Sequence, residues 1–233
     1  MRKIKLSDYV ASYLVSKKLK YIFSVTGAGS MHFNDSIGTK KGLKVIYTHH
    51  EQSASMAAEG VARITGRPGV VNVSTGPGGT NALTGLAGAW IDSIPMLVIS
   101  GQIMRKDRGP KHGLRQMGVQ EIDTISVAKP LTKYAVTVED PNLIKYHLDK
   151  ALHYSMSGKP GPVWIELPLD IQSSFINPKR LKSFKTKKEK KKLPIKQFEN
   201  SIKLINSSKK PLIISGYGVR SSNAVSNLKK LIN

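Results

Sequence analysis

Residues 45–63, VIYTHHEQSASMAAEGVAR, join two patterns of different period. Upstream, Leu43–Tyr47 is short, apolar and β-branched, which predicts a buried strand. Downstream, Ala54, Ala57, Ala58, Val61 and Ala62 recur at the spacing of one helix face. Glu51 falls at the joint. In an α/β sheet such strand-to-helix turns gather along one edge, where ligands bind. A carboxylate at a helix start is also what the helix dipole favours by itself. Position alone leaves both readings of Glu51 open.

The same alternation runs outward along the chain. Tyr21–Val25 (YIFSV) leads through TGAGS to a short helix around Met31–Ile37. Gly69–Ser74 (GVVNVS) leads through TGPGGTN to the helical ALTGLAGAW. Met96–Ser100 (MLVIS) opens on the polar loop GQIMRKDRG, and a helical Pro141–Ser155 precedes a strand at Val163–Leu167. Strands separated by helices predict an α/β fold: a doubly wound, mostly parallel sheet with helices on both faces. Before it, Leu6, Tyr9, Val10, Tyr13 and Leu14 mark a helix, with Ser7 and Asp8 as its cap residues. The first domain is expected over residues 1–176, and a basic linker over 177–194. Residues 195–233 then offer a helix at Ile195–Ile205, a strand and glycine turn in KKPLIISGYGVR, and a helix from Ala224. They are expected to be the start of a second α/β domain, truncated.

Composition narrows the chemistry. No cysteine is present among the 233 residues, which excludes disulfides and thiolate metal sites. The histidines show no metal-ligand spacing, so no metal ligands are assigned within the chain. Residues Met1–Lys18 lack the apolar core of a signal peptide, and no run reaches membrane-spanning length, so a cytoplasmic protein without a membrane partner is expected. The net charge of +22 is uneven: residues 179–233 carry 16 of the 37 Lys and Arg but 2 of the 15 Asp and Glu. The run KRLKSFKTKKEKKKLPIK, Lys179–Lys196, has one aromatic residue and no recognisable reading module. It is expected to be a solvated linker, and no nucleic-acid partner is expected.

Among the glycine turns, STGPGGTN at Ser74–Asn81 is the strongest. It is not a P-loop, because no Lys-Ser/Thr pair follows the last glycine. A structural turn and a ligand cradle both fit it. TGAGS at Thr26–Ser30 lacks the third glycine of a dinucleotide fingerprint, and GYGV at Gly216–Val219 is equally unspecific. Asp92 is expected at a turn before Pro95, and Gln120 and Glu121 in a solvated loop. GKPGPVWIELPLDIQ frames a strand near the end of the first domain.

HHEQSASMAAEGVAR, STGPGGTNALTGLAGAWIDSIPMLVISGQ, GVQEID and GKPGPVWIELPLDIQ follow one another in the order seen in thiamine-diphosphate enzymes. The chain resembles the pyrimidine-binding N-terminal domain of the acetolactate synthase-like group from Lys5 to about Ile176, and the start of that group's central domain after Lys196. The resemblance implies that thiamine diphosphate is bound. Glu51 would hydrogen-bond N1′ of its aminopyrimidine, favouring the imino tautomer that takes the thiazolium proton. Gly76, Pro77, Gly78 and Asn81 would line the pyrimidine. Thr26, Gly27, Gly29 and Gln120 would face the reacting centre of a neighbouring half-site, so Glu51 and Gln120 are the catalytic candidates.

The activity implied is decarboxylation of pyruvate or another 2-keto acid and transfer of the acyl unit to a second carbonyl compound. A 2-keto-acid decarboxylase or keto-sugar carboligase are the variants within the family. The family commonly carries Phe where this chain has Val119, and often Pro-Gly where it has Ala28-Gly29. Both departures weaken an assignment to branched-chain amino-acid synthesis. Mg2+ and the diphosphate would be held by a domain with a Gly-Asp-Gly motif, which this sequence lacks. FAD, found in many members, would rest on the central domain. The resemblance further implies a homodimer or tetramer, or association with a chain carrying the diphosphate-binding domain. The contrasting reading is a non-catalytic remnant that only dimerises or binds a partner.

Overall fold

The computed structural model describes residues 3–186 and 194–232. Most of the lysine-rich part of the expected linker, residues 187–193, lies outside the described residues. The chain forms two compact units, Met1–Phe184 and Lys185–Asn233.

In the first unit the strands are β1 (Ile4–Lys5), β2 (Tyr21–Ser24), β3 (Lys44–Tyr47), β4 (Gly69–Val73), β5 (Met96–Gln102), β6 (Tyr134–Thr137), β7 (Pro162–Pro168) and β8 (Phe175–Ile176). The helices are α1 (Leu6–Ser16), α2 (Met31–Thr39), α3 (Glu51–Thr65), α4 (Pro77–Asn81), α5 (Leu83–Ile91), α6 (Thr124–Ala128), α7 (Ile144–Met156) and α8 (Leu169–Gln172). Six strands form one parallel sheet in the order β3-β2-β4-β5-β7-β6, and β1 pairs antiparallel with β8 at its margin.

The inner strands β2, β4, β5 and β7 are buried on both faces, as their near-continuous apolar runs require. The edge strand β3 is only half-buried, with Lys44 and Tyr47 exposed, so Leu43–Tyr47 is not the buried strand its pattern predicts. Ile22, Val70, Leu97, Ile99, Val163 and Ile165 pack with Leu6, Val10 and Leu14 of α1, Phe33 and Ile37 of α2, and Leu148 and Ala151 of α7. The alternate residues Val71, Val98 and Trp164 are also buried, as are Ala54, Ala58 and Ala62 of α3 and Leu86 and Ala89 of α5. Small residues on α3 let it lie close to the sheet: a Cβ on Gly69 would sit 2.0 Å from the Ala58 carbonyl oxygen. Each fully buried Leu or Ile contributes roughly 1.5–3 kcal/mol. The doubly wound α/β sheet is therefore present as expected.

Three local expectations change. Helix α1 starts at Leu6 and neither Ser7 nor Asp8 caps it; Lys5 is the N-cap and caps with no side-chain bond. The Leu6 N–H donates to the Ser174 carbonyl at 2.8 Å, while the Ser36 hydroxyl lies within hydrogen-bonding distance of both Ser7 Oγ and Asp8 Oδ1. A tertiary contact thus replaces the local cap. Second, β6 is a strand that the apolar pattern did not reveal, a four-residue edge strand paired only to β7. Third, the chain after Ile176 stays on the first unit. Leu181 packs on the core, and the Phe184 ring lies 5.5 Å from Tyr146, 5.7 Å from His153 and 6.2 Å from Tyr154 between centroids.

The second unit contains α9 (Ile195–Ser207), α10 (Gly218–Ser221) and α11 (Val225–Ile232). The strand expected in KKPLIISGYGVR does not form: residues 211–216 pair with no described strand, and a ladder needs a partner. Among the described residues, no helix is long and apolar enough to cross a membrane.

Candidate functional site

The chain begins the sheet at β2, places β3 on one side of it and β4 on the other. Connections therefore diverge at the C-terminal ends of β2 and β4, the switch point at which such sheets open a crevice. Three segments meet there: residues 25–30 after β2, 48–51 after β3 and 74–81 after β4.

Glu51 is the first residue of α3. His50 is its N-cap, with Nδ1 accepting from the Gln52 N–H at 3.1 Å. The Glu51 carboxylate is half-buried, and its Oε2 accepts from Asn81 Nδ2 at 3.0 Å. Its Oε1 would lie 3.3 Å from a Cβ on Gly78 and accepts no hydrogen bond from a described residue. One carboxylate oxygen is thus held and the other is open.

Asn81 ends α4, the helical turn into which most of the glycine loop folds. Pro77 occupies its first position, where the missing N–H costs nothing. Gly76 precedes it at φ 60° and ψ −117°, a conformation other residues avoid. A Cβ there would fall 1.8 Å from the Gln120 carbonyl oxygen. Glycine is what lets residue 120 lie against this turn. Gly29 has the same role for the first loop, since a Cβ would meet Thr75 Oγ1 at 1.9 Å. Gly29 N–H donates to Ser74 Oγ at 3.2 Å, and its carbonyl accepts from Gln172 Nε2 at 2.8 Å. Below, Asn72 Nδ2 donates to Ser24 Oγ and Asn34 Oδ1, and Asn34 Nδ2 donates to the Gly27 carbonyl at 3.3 Å.

A cavity of about 420 Å³ opens beside these turns. Gly29, Thr75, Ile103, Met117, Val119 and Gln120 are part of its wall. Thr75 Oγ1 is buried without a hydrogen-bond partner. Of the expected residues, Glu51, Gly78 and Asn81 form one contact group, and Gly29, Gly76 and Gln120 meet around the turn beside the cavity. Glu51 and Asn81 do not line that cavity, and neither does Thr26, which is exposed at its loop tip. Gly27 packs against Ser74.

Two acids escaped the sequence reading. Glu121, expected in a solvated loop, is buried and accepts from the N–H groups of Gly109, Met117 and Gly118 at 2.9–3.1 Å. Burial alone would raise its carboxyl, but those N–H bonds and the Arg108 charge hold it below the ordinary range. Glu121 thereby ties the 109–121 loop together. Glu166, in the middle of β7, is 3% exposed. Its Oε1 accepts from Gln102 Nε2 at 3.2 Å and its Oε2 from Thr137 Oγ1 at 2.8 Å. Burial pushes Glu166 up to about 7, although the Thr137 bond, the Arg108 charge and the Gln102 bond oppose it. The signal for Glu166 was an acid inside the apolar run VWIEL; for Glu121 no periodicity marked it.

Glu166 carries a pH signature. The native state holds its proton up to about 7, whereas the unfolded chain releases it in the ordinary carboxyl range, so the native state binds more protons in between. Stability should therefore fall by roughly 1.4 kcal/mol per pH unit across that window and level off above it. Denaturant midpoints from pH 4 to 8 should show this slope in the parent and not in Glu166→Gln; equal slopes would refute the assignment.

Comparison with known proteins agrees with the geometry. The family model described as thiamine pyrophosphate enzyme, N-terminal TPP binding domain, matches residues 4–127. The acetolactate synthase large subunit of Buchnera aphidicola subsp. Schizaphis graminum is 35% identical over 228 residues, 96% of this chain and 39% of that protein. That of Lactococcus lactis is 35% identical over 234 residues, 97% of this chain and 40% of that protein. The chloroplastic acetolactate synthase of Arabidopsis thaliana is 30% identical over 222 residues, 94% of this chain and 32% of that protein. The chain thus spans from about a third to two fifths of these relatives. A family match over more than half of the chain, on a sheet whose switch point gathers Glu51 and the glycine turns, means that the chain belongs to the thiamine pyrophosphate enzymes and carries the N-terminal TPP-binding domain of their acetolactate synthase-like group.

Proposed function

We propose that this chain forms the pyrimidine-binding half of a thiamine-diphosphate-dependent carboligase acting on pyruvate or a related 2-keto acid. The observation that carries this reading is the Glu51 carboxylate, held through Oε2 by Asn81 and open at Oε1 beside Gly78. An open carboxylate oxygen beside a turn that carries no side chain at Gly78 is an acceptor suited to an aminopyrimidine edge.

When bound, thiamine diphosphate supplies the carbon nucleophile and the electron sink for breaking the bond beside a keto group. In this reading Glu51 Oε1 holds a proton at pyrimidine N1′, and Asn81 keeps the carboxylate turned toward it. Gly78 lets the ring approach the main chain beside Glu51, and Gly76 lets residue 120 lie against the same turn. Gln120 and the apolar wall of Ile103, Met117 and Val119 orient the second carbonyl compound and keep water out. Among the described residues no cluster of His, Asp and Glu could hold a metal ion. In this reading the diphosphate and Mg2+ are bound by a further domain, in the same protein or in a partner, and a dimer completes each site. A flavin would lie with the central domain.

The test is to supply 13C-pyruvate, thiamine diphosphate and Mg2+ to the assembled protein and follow carbon by NMR. Release of labelled carbon dioxide with a new carbon–carbon bond in the product is expected. Carbon dioxide with free aldehyde instead would make it a decarboxylase, and no consumption of any 2-keto acid would refute the reading.

A further inference from the structure

A second pocket, of about 330 Å³, lies under the loop that follows β5 and away from the switch point; Gln102, Arg108, Lys111, Arg115, Glu121 and Glu166 are part of its wall. Each of its carboxylates already accepts hydrogen bonds from protein groups. Glu121 is taken up by the backbone N–H groups of its own loop. Glu166 is taken up by Thr137 and Gln102. Asp123, also at the wall, accepts from the N–H and hydroxyl of Ser126 as the cap of α6.

The cations are the opposite case. Arg108 uses Nη1 on Glu139, at 2.6 Å, and leaves Nε and Nη2 buried with no partner. Nε and Nη2 form the side edge of a guanidinium, the pair that engages two oxygens of one oxyanion at once. Lys111 and Arg115 are exposed at the same wall, and neither side chain makes a hydrogen bond or ion pair with a described residue. The pocket thus combines unpartnered donors on three cationic side chains with room for a small ligand.

We propose that this pocket binds a small oxyanion, with a phosphate group as its preferred ligand. A carboxylate has two oxygens, and the Arg108 edge would consume both. A phosphate engages that edge and keeps further oxygens for Lys111 and Arg115. The shared chemistry covers free phosphate and the phosphate end of a metabolite.

The test is calorimetric titration of the full chain with inorganic phosphate at low ionic strength, with sodium acetate as the carboxylate comparison. Saturable binding of one phosphate per chain is expected, with acetate at least ~10-fold weaker. The double variant Lys111→Gln/Arg115→Gln changes only exposed, unpartnered side chains and should weaken phosphate ~10-fold or more. Arg108→Gln should abolish saturation; if its loss of the Glu139 bond unfolds the chain, the double variant decides. Absence of saturation, unchanged affinity in the double variant, or equal binding of acetate would overturn the proposal. So would loss of binding when Lys187, Lys188 and Lys190 to Lys192 are replaced by Gln, which would put the ion on the basic run.

Discussion

Replacing Glu51 by Gln is expected to slow turnover of a 2-keto acid ~10²–10⁴-fold, the range ascribed to a positioned proton-transfer group. The substitution keeps the size of the side chain and an oxygen for Asn81. It removes the second carboxylate oxygen and the negative charge, which are what an N1′ proton needs. The experiment requires the protein with its diphosphate-binding part, since the chain spans 39–40% of its bacterial relatives. Two readings separate a chemical from a structural loss. The thermal midpoint should be unchanged, because Glu51 is half-buried at a helix start rather than in the core. Exchange of the cofactor's C2 proton, followed by quenched-flow NMR, should slow in parallel with turnover. Normal exchange in a folded Glu51→Gln protein would remove Glu51 from the proposed mechanism.

Gly76→Val is expected to cost about 3–5 kcal/mol of stability, the sum of backbone strain and overpacking at one residue. A β-branched residue is strongly disfavoured at φ 60°. A Cβ would also sit 1.8 Å from the Gln120 carbonyl oxygen, a backbone atom that cannot swing away as a side-chain tip would. The residue 117–121 segment must retreat, and with it the wall of the larger cavity. Urea unfolding should show the lower midpoint. Hydrogen exchange should show faster opening at Met117 and Gly118, whose N–H groups are held by Glu121. A midpoint within ~0.5 kcal/mol of the parent would mean that the turn tolerates a side chain.

Both positions were legible in the sequence. Glu51 could be placed from sequence because strand, turn and helix follow one another within twenty residues, and each has its own period. Gly76, Pro77, Gly78 and Asn81 were legible for the same reason, since they sit on the joint between β4 and the following helices. The sheet's interior strands were readable because burial on both faces makes them unbroken apolar runs. Edge strand β6 was not, because YAVT is short, half-buried throughout and set off by no glycine. Glu121 and Glu166 escaped for a deeper reason. Glu121 is buried by a loop that closes on it, and Glu166 by Gln102, 64 residues earlier. No local pattern encodes a partner that only the tertiary fold brings near. The cap of α1 is the same case, a hydrogen-bond acceptor delivered from Ser174 rather than from Ser7 or Asp8.

The strand order also bears on how the molecule is made. β7 comes after β6 in the chain yet lies between β5 and β6, and β6 pairs with no other strand of the sheet. A nascent chain that has emerged only as far as α7 therefore holds Tyr134–Thr137 without a ladder to join. Nucleation can begin on β2, β3, β4 and β5, but closure must wait for Val163–Leu167 to thread between two segments already present. Such non-local pairing is slow, because loop entropy is lost before contacts offset it. The same late step desolvates Glu166 and completes the floor beneath Arg108. The polar chamber on that side of the sheet therefore cannot close before β7 has joined, whereas the Glu51–Asn81 contact draws only on segments that follow β3 and β4.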